Sequence, residues 1–337
     1  MSVKVSVVMV VLNGEKFIGE AIQSILAQTY DNYELIVVDD GSTDGTGQLV
    51  DSFADRLSLQ YVRHESPQGI APSMNDGVRH ATGDLISFLD HDDGWLPEFL
   101  ATQVKYLEVH PEMGMAHSDF QTIDVQGNIL EESVAVSRQR TRPSGYIFPN
   151  LFMDSFIVGN SVLIRKECFT RVGLFDESLR WGDYHLWLRI SRHYQVGYVA
   201  RVLTKYRQHA TQSTRSVSTG RPDDDSVALM AIKKILELYP EIRSELGEGA
   251  IRRRMASLYY DMAHTWFSKG AMREARICAS RAIGFWPTSP RILRLYLGTW
   301  LRPSHAKALR QLWRRLQNLF SPGRADSDRL DRLTNIG

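Results

Sequence analysis

The 337-residue chain contains only two cysteines, Cys168 and Cys278, which lie far apart in the sequence. Two distant cysteines offer neither a disulfide framework nor the paired spacing of a cysteine metal site. We therefore expect both to be core thiols in a reducing compartment.

Long apolar runs are absent as well. No stretch of the chain approaches the roughly 20 consecutive apolar residues that a membrane-spanning helix needs. The N-terminus enters a strand-like segment at once, without a basic leader followed by an apolar stretch and a cleavage site. We expect a cytoplasmic protein, or one that is peripheral on the cytoplasmic face of a membrane.

The chain also lacks an excess of either charge, because 40 Lys and Arg residues balance 39 Asp and Glu residues, for a formal net charge of +1. A surface that binds polyanions over its whole area is not expected from this balance, so nucleic acid is not a predicted partner.

Glycine-rich nucleotide motifs are missing too. Asn13-Gly14 follows the first predicted strand without a G-x-G-x-x-G pattern, and no G-x-x-x-x-G-K-[ST] phosphate loop occurs. This argues against a dinucleotide-binding Rossmann domain. It also means that any phosphate would have to be neutralised by other means, such as a metal held by carboxylates.

The chain does contain a regular alternation of strands and helices in its first hundred residues. Apolar, β-branched runs predict strands at residues 5–12, 33–38, 57–62 and 85–89. Helical spacing of apolar residues fills the intervals between them. Such a rhythm predicts a parallel sheet whose ligands bind at the carboxyl ends of the strands.

Carboxylates follow two of these strands. Asp90, Asp92 and Asp93 come directly after residues 85–89, and Asp39-Asp40 end the strand at residues 33–38. Adjacent carboxylates repel one another, and a divalent cation is the usual partner that neutralises them. The alternative for the first cluster is a polar turn or a cap before Trp95-Leu96-Pro97-Glu98.

Several motifs, in order, are similar to those of family-2 glycosyltransferases with the GT-A fold, of the bacterial cell-surface glycan type. They are residues 7–13, SILAQTY at 24–30, ELIVVDDGSTD at 34–44, NDG at 75–77, ATG at 81–83 and FLDHDD at 88–93. The resemblance extends to residue 210. It implies an α/β fold, with a Rossmann-like mixed sheet flanked by helices over residues 1–215 and an all-α C-terminal region after it.

The resemblance also implies roles for particular side chains. It places Asp40 against the nucleobase, Asp39 beside the same pocket and Asp90 against the ribose or donor sugar. The donor nucleotide-binding residues implied in this way are Val11, Asn13, Asp39, Asp40, Asn75 and Asp90. The residues implied on the acceptor side are Gly159, Asn160 and Trp181.

A divalent metal, Mn²⁺ or Mg²⁺, is the implied cofactor. By resemblance Asp92 ligates it on the donor diphosphate, and His209 is a weaker second candidate, because imidazole can ligate Mn²⁺. The alternative for His209 is an ordinary surface histidine.

Asp183 is the implied general base, since one carboxylate near the acceptor oxygen can take its proton. The alternative from the residues alone is a helix cap. Where the family usually has Glu before this Asp and Asp two residues after it, this chain has Gly182 and His185. These departures affect the neighbouring contacts rather than Asp183 itself.

Residues after 215 lose the strand pattern. We predict a linker or lid at 216–225, a helical region at 226–323 and a flexible tail at 324–337. The helical region has one tetratricopeptide-like hairpin at about 256–289, for which an ordinary hairpin is the alternative. It also has a basic amphipathic helix at about 304–320, suited to an anionic membrane or to docking on its neighbours. A polar loop carries Arg138, Arg140 and Arg142.

These features predict an inverting, metal-dependent glycosyltransferase of the hexosyl or N-acetylhexosaminyl class. It would move a sugar from a nucleotide diphosphate, expected to be UDP, to a hydroxyl of a glycan or lipid-linked acceptor in cell-envelope polysaccharide synthesis. One alternative is a nucleotide-sugar-binding scaffold without turnover, whose helical tail recruits a partner. Another is a nucleotidyltransferase, which the missing Gly-rich phosphate loop disfavours.

Overall fold

The computed structural model describes residues 2–137, 142–210, 212 and 226–300. The chain divides into two compact units. The first contains the described residues of Met1–Val217 and Val227–Gly247, and the second contains those from Glu248 onward.

The first unit is built on one mixed sheet of nine strands. These are β1 (Val5–Val11), β2 (Tyr33–Asp39), β3 (Leu59–Arg63), β4 (Leu85–Phe88), β5 (Gly94–Trp95), β6 (Met113–Ile123), β7 (Ile129–Glu131), β8 (Val162–Arg165) and β9 (Gln195–Arg207). The strand order is β3-β2-β1-β4-β8-β6-β9-β5, and β7 pairs with β6 outside this path.

Strands β1 to β4 are parallel to one another where they pair. Strand β8 then runs antiparallel to both β4 and β6, which makes the sheet mixed. Because β2, β1 and β4 are neighbours and parallel, their carboxyl ends lie at one edge. The acidic residues that follow β2 and β4 are therefore separated by a single strand.

Helices flank the sheet of the first unit. They are α1 (Ile18–Leu26), α2 (Thr46–Asp51), α3 (Ile70–His80), α4 (Phe99–Val109), α5 (Val134–Ser137), α6 (Phe148–Met153), α7 (Lys166–Val172), α8 (Asp183–His193), α9 (Val227–Leu238) and α10 (Ile242–Leu246). A 3₁₀ turn at Gly159–Ser161 leads into β8.

The central strands are buried on both faces, as their continuous apolar sequences predicted. In β1, Val5, Val7, Val8 and Met9 have no exposed surface, and the same holds for residues 35–38 of β2. Ser6 is a polar residue within β1, and its Oγ donates a hydrogen bond to the Glu34 carboxylate at 2.6 Å. The predicted mixed sheet with flanking helices is confirmed.

Helices α9 and α10 belong to the first unit, whereas the sequence placed the boundary before them. Helix α9 packs on α8 by an apolar face, in which Leu229, Ile232 and Ile235 have no exposed surface, and polar contacts add to this. Arg192 of α8 pairs with Glu241 and Glu245, at 3.1 and 2.5 Å, and Lys234 of α9 pairs with Asp176 at 2.8 Å. Such charge pairs, distant in sequence, leave no trace in local composition.

The second unit is helical, as expected. It contains α11 (Glu248–Ser268), α12 (Met272–Phe285) and α13 (Pro290–Gly298). Helices α11 and α12 form a hairpin whose turn includes Gly270 at a positive φ of 79°. The two helices approach closely because Ala263, Ala275, Ala279 and Ala282 are fully buried between or beside them.

In the part of the chain that the structure describes, no helix is both long and apolar enough to cross a bilayer. The predicted loop arginines Arg138 and Arg140, the linker at 216–225, the basic helix at 304–320 and the tail at 324–337 lie outside the described residues.

Candidate active site at the carboxyl ends of the strands

The acidic cluster lies where β4 leaves the sheet. The backbone turns back immediately, since the N–H of Asp93 donates to the carbonyl of Asp90 at 3.1 Å. The turn gathers the side chains of Asp90, Asp92 and Asp93, whose candidate ligand oxygens all lie within 4.8 Å of one another. Three carboxylates this close repel one another, and a hard divalent cation fits such a set of oxygens.

Asp90 and Asp183 belong to the same site, although 92 other residues separate them in the sequence. The pKa of Asp90 is raised to about 7, first by burial and then by the negative charges of Asp92 and Asp183. The structure thus brings the predicted base to the predicted donor-side carboxylate.

Asp183 is the first residue of α8, and its Oδ1 accepts a hydrogen bond from the backbone N–H of Tyr184 at 2.7 Å. Gly182 is the residue before the helix, so the cap position proposed as the alternative for Asp183 is not occupied by it. Burial raises the pKa of Asp183 and outweighs its backbone hydrogen bonds.

Gly182 explains one departure from the family pattern. A Cβ at this position would lie 3.2 Å from the Cβ of Phe175 and 3.3 Å from the backbone nitrogen of Asp176. A glutamate here would require its neighbours to shift by a few tenths of an ångström, whereas glycine fits without adjustment. The second departure, His185, is buried, and its pKa is lowered to about 4, by burial first and Arg189 second. It is therefore neutral.

Asp92 and His209 are paired. His209 Nε2 lies 2.8 Å from Asp92 Oδ2, and the imidazole packs against Phe17 with ring centroids 5.1 Å apart. The two predicted metal ligands are thus adjacent. The side chain of His209 is largely buried, so His209 is not an ordinary surface histidine.

Asp93 has a supporting position in the cluster. Its carboxylate accepts hydrogen bonds from the Asn160 side chain at 2.5 Å and from the backbone N–H of Arg207 at 2.7 Å. Burial, with the charges of Asp92 and Asp90, raises its pKa well above the usual range. The next helix, α4, begins only at Phe99, so Asp93 does not cap it.

Asn160 is therefore committed to the acidic cluster and is buried, rather than exposed to an acceptor as the sequence suggested. Gly159, next to it, faces open space, since nothing lies within 4 Å of a Cβ built there. Trp181 is half-buried under the Arg180 guanidinium, 4.9 Å from its ring centroid. Its indole N–H is buried and has no hydrogen-bond partner among the described residues.

Arg207 is a site residue that the sequence did not single out. It is buried, donates from Nε to the backbone carbonyl of Asp92 at 2.8 Å, and pairs with Glu20 at 2.6 Å. Its place two residues before His209, in a stretch that resembles the family, was the only available signal.

On the donor side, Asp40 is buried and accepts from the backbone N–H groups of Gln68 and Gly69 at 2.7 and 2.9 Å. His64 bridges it to Asp76, through Nδ1 at 2.9 Å and Nε2 at 3.0 Å. Burial alone would raise the pKa of Asp40, but these hydrogen bonds lower it overall.

Asp39 accepts from Ser42 N–H at 2.8 Å and from the Tyr61 hydroxyl at 2.5 Å. With Tyr61 and Arg63 it lines a polar cavity of about 320 Å³ beside α2. Asn13 has a positive φ of 54°, and its Oδ1 accepts from Thr43 N–H. Val11, which ends β1, is buried.

Asn75, the remaining predicted donor-binding residue, lies in a helix rather than at the end of a strand. It is buried in α3, where its amide donates to the Phe175 carbonyl at 3.0 Å and to Glu177 at 2.8 Å, and accepts from Phe175 N–H at 2.8 Å. Its side chain therefore holds the segment that precedes Asp183.

Comparisons with known proteins identify the family of this chain. The model of the family described as Glycosyl transferase family 2 matches residues 6–152. An uncharacterized glycosyltransferase from Rickettsia prowazekii is 33% identical over 217 residues, which are 63% of this chain and 66% of that protein. The match to a relative from Rickettsia bellii spans only 30% of that protein. The chain therefore spans about two thirds or less of these first relatives.

The fold has solved counterparts. A mannosyltransferase from Pyrobaculum calidifontis, in complex with GDP-Man and Mn²⁺, has a TM-score of 0.60 at 20% identity, covering 96% of this chain and 82% of that one. TarS 1–349 from S. aureus, in complex with UDP-GlcNAc, has a TM-score of 0.53 at 14% identity, covering 91% and 92%. At these identities the likeness is one of fold.

The putative glycosyltransferase EpsE of Bacillus subtilis is 30% identical over 238 residues, which cover 69% of this chain and 83% of EpsE. The region matched by the family model runs from β1 through the acidic cluster to α6, and it includes the strand ends that build the site. The chain belongs to glycosyl transferase family 2.

Proposed function

We propose that the protein is an inverting glycosyltransferase that moves a sugar from a nucleoside diphosphate donor to an acceptor hydroxyl. The observation that carries the proposal is the acidic cluster at the end of β4, where the candidate ligand oxygens of Asp90, Asp92 and Asp93 lie within 4.8 Å of one another, in a chain that belongs to glycosyl transferase family 2. Direct displacement of the diphosphate by the acceptor hydroxyl requires a general base close to the acidic cluster, and Asp183 is the candidate for it.

The donor is a nucleotide sugar, with UDP as the expected nucleotide and a hexose or N-acetylhexosamine as the sugar. The solved neighbours are complexes with UDP-GlcNAc and with GDP-Man, which are donors of these two sugar classes. Asp40, Asp39, Asn13 and Val11 lie at the ends of β1 and β2, where a nucleoside would bind.

The carboxylate oxygens of the acidic cluster are suitable ligands for Mn²⁺ or Mg²⁺. Asp93 is committed to Asn160 and Arg207, so Asp92 is the main candidate ligand, with His209 and Asp90 beside it. A divalent cation bound there would neutralise charge that develops on the leaving diphosphate. Burial first, and then the negative charges of neighbouring carboxylates, raise the pKa values of Asp90 and Asp93, and a bound cation would relieve that repulsion.

Asp183 acts as the general base in this proposal. The acceptor oxygen attacks the anomeric carbon from the face opposite the diphosphate, and Asp183 takes its proton. The bond from the anomeric carbon to the diphosphate oxygen breaks, and the configuration is inverted. A raised pKa makes the carboxylate a stronger base, and the hydrogen bond from Tyr184 orients it.

The acceptor is a hydroxyl of a glycan or a lipid-linked precursor in cell-envelope polysaccharide synthesis. Gly159 and Trp181 are the residues that we assign to its side of the site. A lipid-linked acceptor would place the protein at the cytoplasmic face of a membrane.

Release of nucleoside diphosphate tests the proposal. A panel of UDP- and GDP-sugars is first screened with Mn²⁺ by thermal shift, because a donor that binds only the folded state raises its stability. The stabilising donor is then incubated with lipid-linked acceptors. Acceptor-dependent release of the diphosphate supports transfer. Donor binding without release under any acceptor would instead favour a nucleotide-sugar-binding scaffold.

A further inference from the structure

The second unit carries an exposed leucine–tryptophan face, defined as Leu293 and Leu297 of α13 together with Trp300, two residues after the end of that helix. Leu293 and Leu297 are four residues apart, so they share one side of α13, and Trp300 follows them in the chain. Leu297 is 65% exposed and Trp300 is 61% exposed, while Ile292 and Leu295 of the same helix are buried. The helix therefore packs by one side and presents large apolar groups on another.

Arginines accompany this face. The Arg276 guanidinium of α12 stacks on the Trp300 ring at 3.6 Å, and its Nη2 donates to the Thr299 carbonyl at 2.7 Å. Arg291 lies over the Tyr260 ring at 4.1 Å, and both Arg291 and Arg294 are exposed. No acidic residue occurs between Glu274 and Trp300.

We propose that the leucine–tryptophan face docks on an anionic lipid surface. Apolar side chains and a tryptophan would enter the boundary between headgroups and acyl chains, and the arginines would contact the headgroup charges. The inference deepens the proposed function, because a lipid-linked acceptor would then be met at the surface where the protein is held.

Charge distinguishes an anionic lipid surface from two other candidate partners, which are the rest of this chain and a second copy of the protein. The remaining chain, from residue 301 to residue 325, contains basic residues and no acidic ones before Asp326. A second copy that docked through the same face would present the same arginines. Either partner would bring positive charge against positive charge, which disfavours its docking here. An anionic membrane supplies both the apolar layer and the opposite charge.

The test measures partitioning of the full chain onto vesicles of phosphatidylcholine, with and without phosphatidylglycerol. We expect Leu293→Ser combined with Leu297→Ser to lower the partition coefficient on phosphatidylglycerol vesicles about tenfold or more. We expect Arg291→Gln combined with Arg294→Gln to lower it by about fivefold for each charge removed, and less at high salt.

Matched controls come from α4 of the first unit. Val109 is an exposed apolar residue and Lys105 an exposed cation, so Val109→Ser and Lys105→Gln remove similar groups from another surface. Both should leave partitioning unchanged. Thermal unfolding midpoints, and the stabilisation given by a bound nucleotide sugar, show whether each variant is folded.

Equal binding of the wild type and the leucine variant would overturn the inference, and so would equal binding to vesicles with and without phosphatidylglycerol. A wild-type dimer that the leucine substitutions dissociate, with vesicle binding unaffected, would make the face a self-interface and would also overturn it. Failure of the proposed function would look different, because no nucleotide sugar would stabilise the chain while the vesicle results stayed as expected.

Discussion

Arg207 and Glu20 form an ion pair of 2.6 Å that links the end of β9 to α1. The same arginine holds the acidic cluster at two points. Its Nε donates to the backbone carbonyl of Asp92, and its backbone N–H donates to the Asp93 carboxylate. The side chain is only 4% exposed, so these contacts are shielded from water. Arg207 is therefore a positioning residue for the candidate metal site.

We expect Arg207→Lys to weaken metal binding. Lysine lacks the planar fork of donors, so it cannot contact the Asp92 carbonyl and Glu20 in the same way. Losing a group that orients a ligand typically costs about 10–100-fold in metal affinity. The apparent dissociation constant of Mn²⁺, measured by titration in the presence of a nucleotide sugar, should rise by that factor.

Arg201→Lys is the matched control, because Arg201 lies on the same strand and is exposed, with a hydrogen bond to Thr102 at 3.0 Å. Its Mn²⁺ affinity should equal that of the wild type. Glu20→Gln should have a small effect, since the Glu20 side chain is 63% exposed and an exposed pair contributes at most about 1 kcal/mol. An Arg207→Lys protein with unchanged Mn²⁺ affinity would contradict the positioning role.

Asp183→Asn should separate chemistry from binding. The amide keeps the size of the side chain but cannot accept a proton, so kcat should fall by about 10²–10⁴. Donor binding, measured by thermal shift with Mn²⁺, should be retained or slightly strengthened, because the substitution removes a charge that repels Asp90.

Asp84→Asn controls for the loss of a carboxylate. Asp84 is exposed and precedes β4, whereas the acidic cluster follows that strand. Its kcat should match the wild type. If Asp183→Asn turned over as fast as Asp84→Asn, another group would have to be the base.

The sequence predicted the sheet and its acidic edge because both depend on local patterns. Continuous β-branched runs identify buried strands, and carboxylates directly after them identify the edge. The proposed role of Asp183 could not be predicted from local patterns, because only the resemblance to a family linked it to the residues after β4. The burial that raises the pKa of both Asp183 and Asp90, and the neighbouring charges that add to it for Asp90, can be seen only in the three-dimensional structure.

The supporting contacts could not be predicted, because they join residues far apart in the chain. Asn160 and Asp93 are 67 positions apart, and Arg207 and Glu20 are 187 apart. Neither pair leaves a periodic or compositional signal. Asn75 was assigned to the donor by its motif, but its amide contacts Phe175 and Glu177, about 100 positions away. Long-range polar pairing of this kind is set by the tertiary fold.

The bridge formed by His64 between Asp40 and Asp76 predicts a pH dependence of stability. Burial alone would lower the pKa of His64 below 6.5, but the two carboxylates raise it overall. A raised histidine pKa stabilises the fold below the unfolded value, and this contribution is lost as the pH rises through the folded pKa. The contribution of His64 to the unfolding free energy of the wild type should therefore be full below pH 6.5 and be lost as the pH becomes alkaline.

His64→Gln should remove this pH-dependent loss, measured as the difference from wild type in urea unfolding across the same range. His110→Gln is the control, because His110 is more exposed and lies 3.3 Å from the exposed Glu112. Its unfolding free energy should follow the wild-type curve. A His64→Gln protein that kept the full pH dependence would show that other groups cause it.

Two glycines in helices should respond to alanine in opposite directions. Gly77 of α3 faces β1, where a Cβ would lie 2.2 Å from Cγ1 of Val8, closer than van der Waals contact allows. Gly77→Ala should therefore lower the free energy of unfolding by about 1–3 kcal/mol, in spite of a better helix propensity. Gly19 of α1 has nothing within 4 Å of a Cβ, so Gly19→Ala should raise it by about 0.5–1 kcal/mol. Urea unfolding of both variants tests this directly. A gain of stability in Gly77→Ala would contradict the packing of α3 on β1, and a loss of stability in Gly19→Ala would contradict the open space beside α1. Because the turn before α3 donates two backbone N–H groups to Asp40, Gly77→Ala should also weaken donor binding, whereas Gly19→Ala should not.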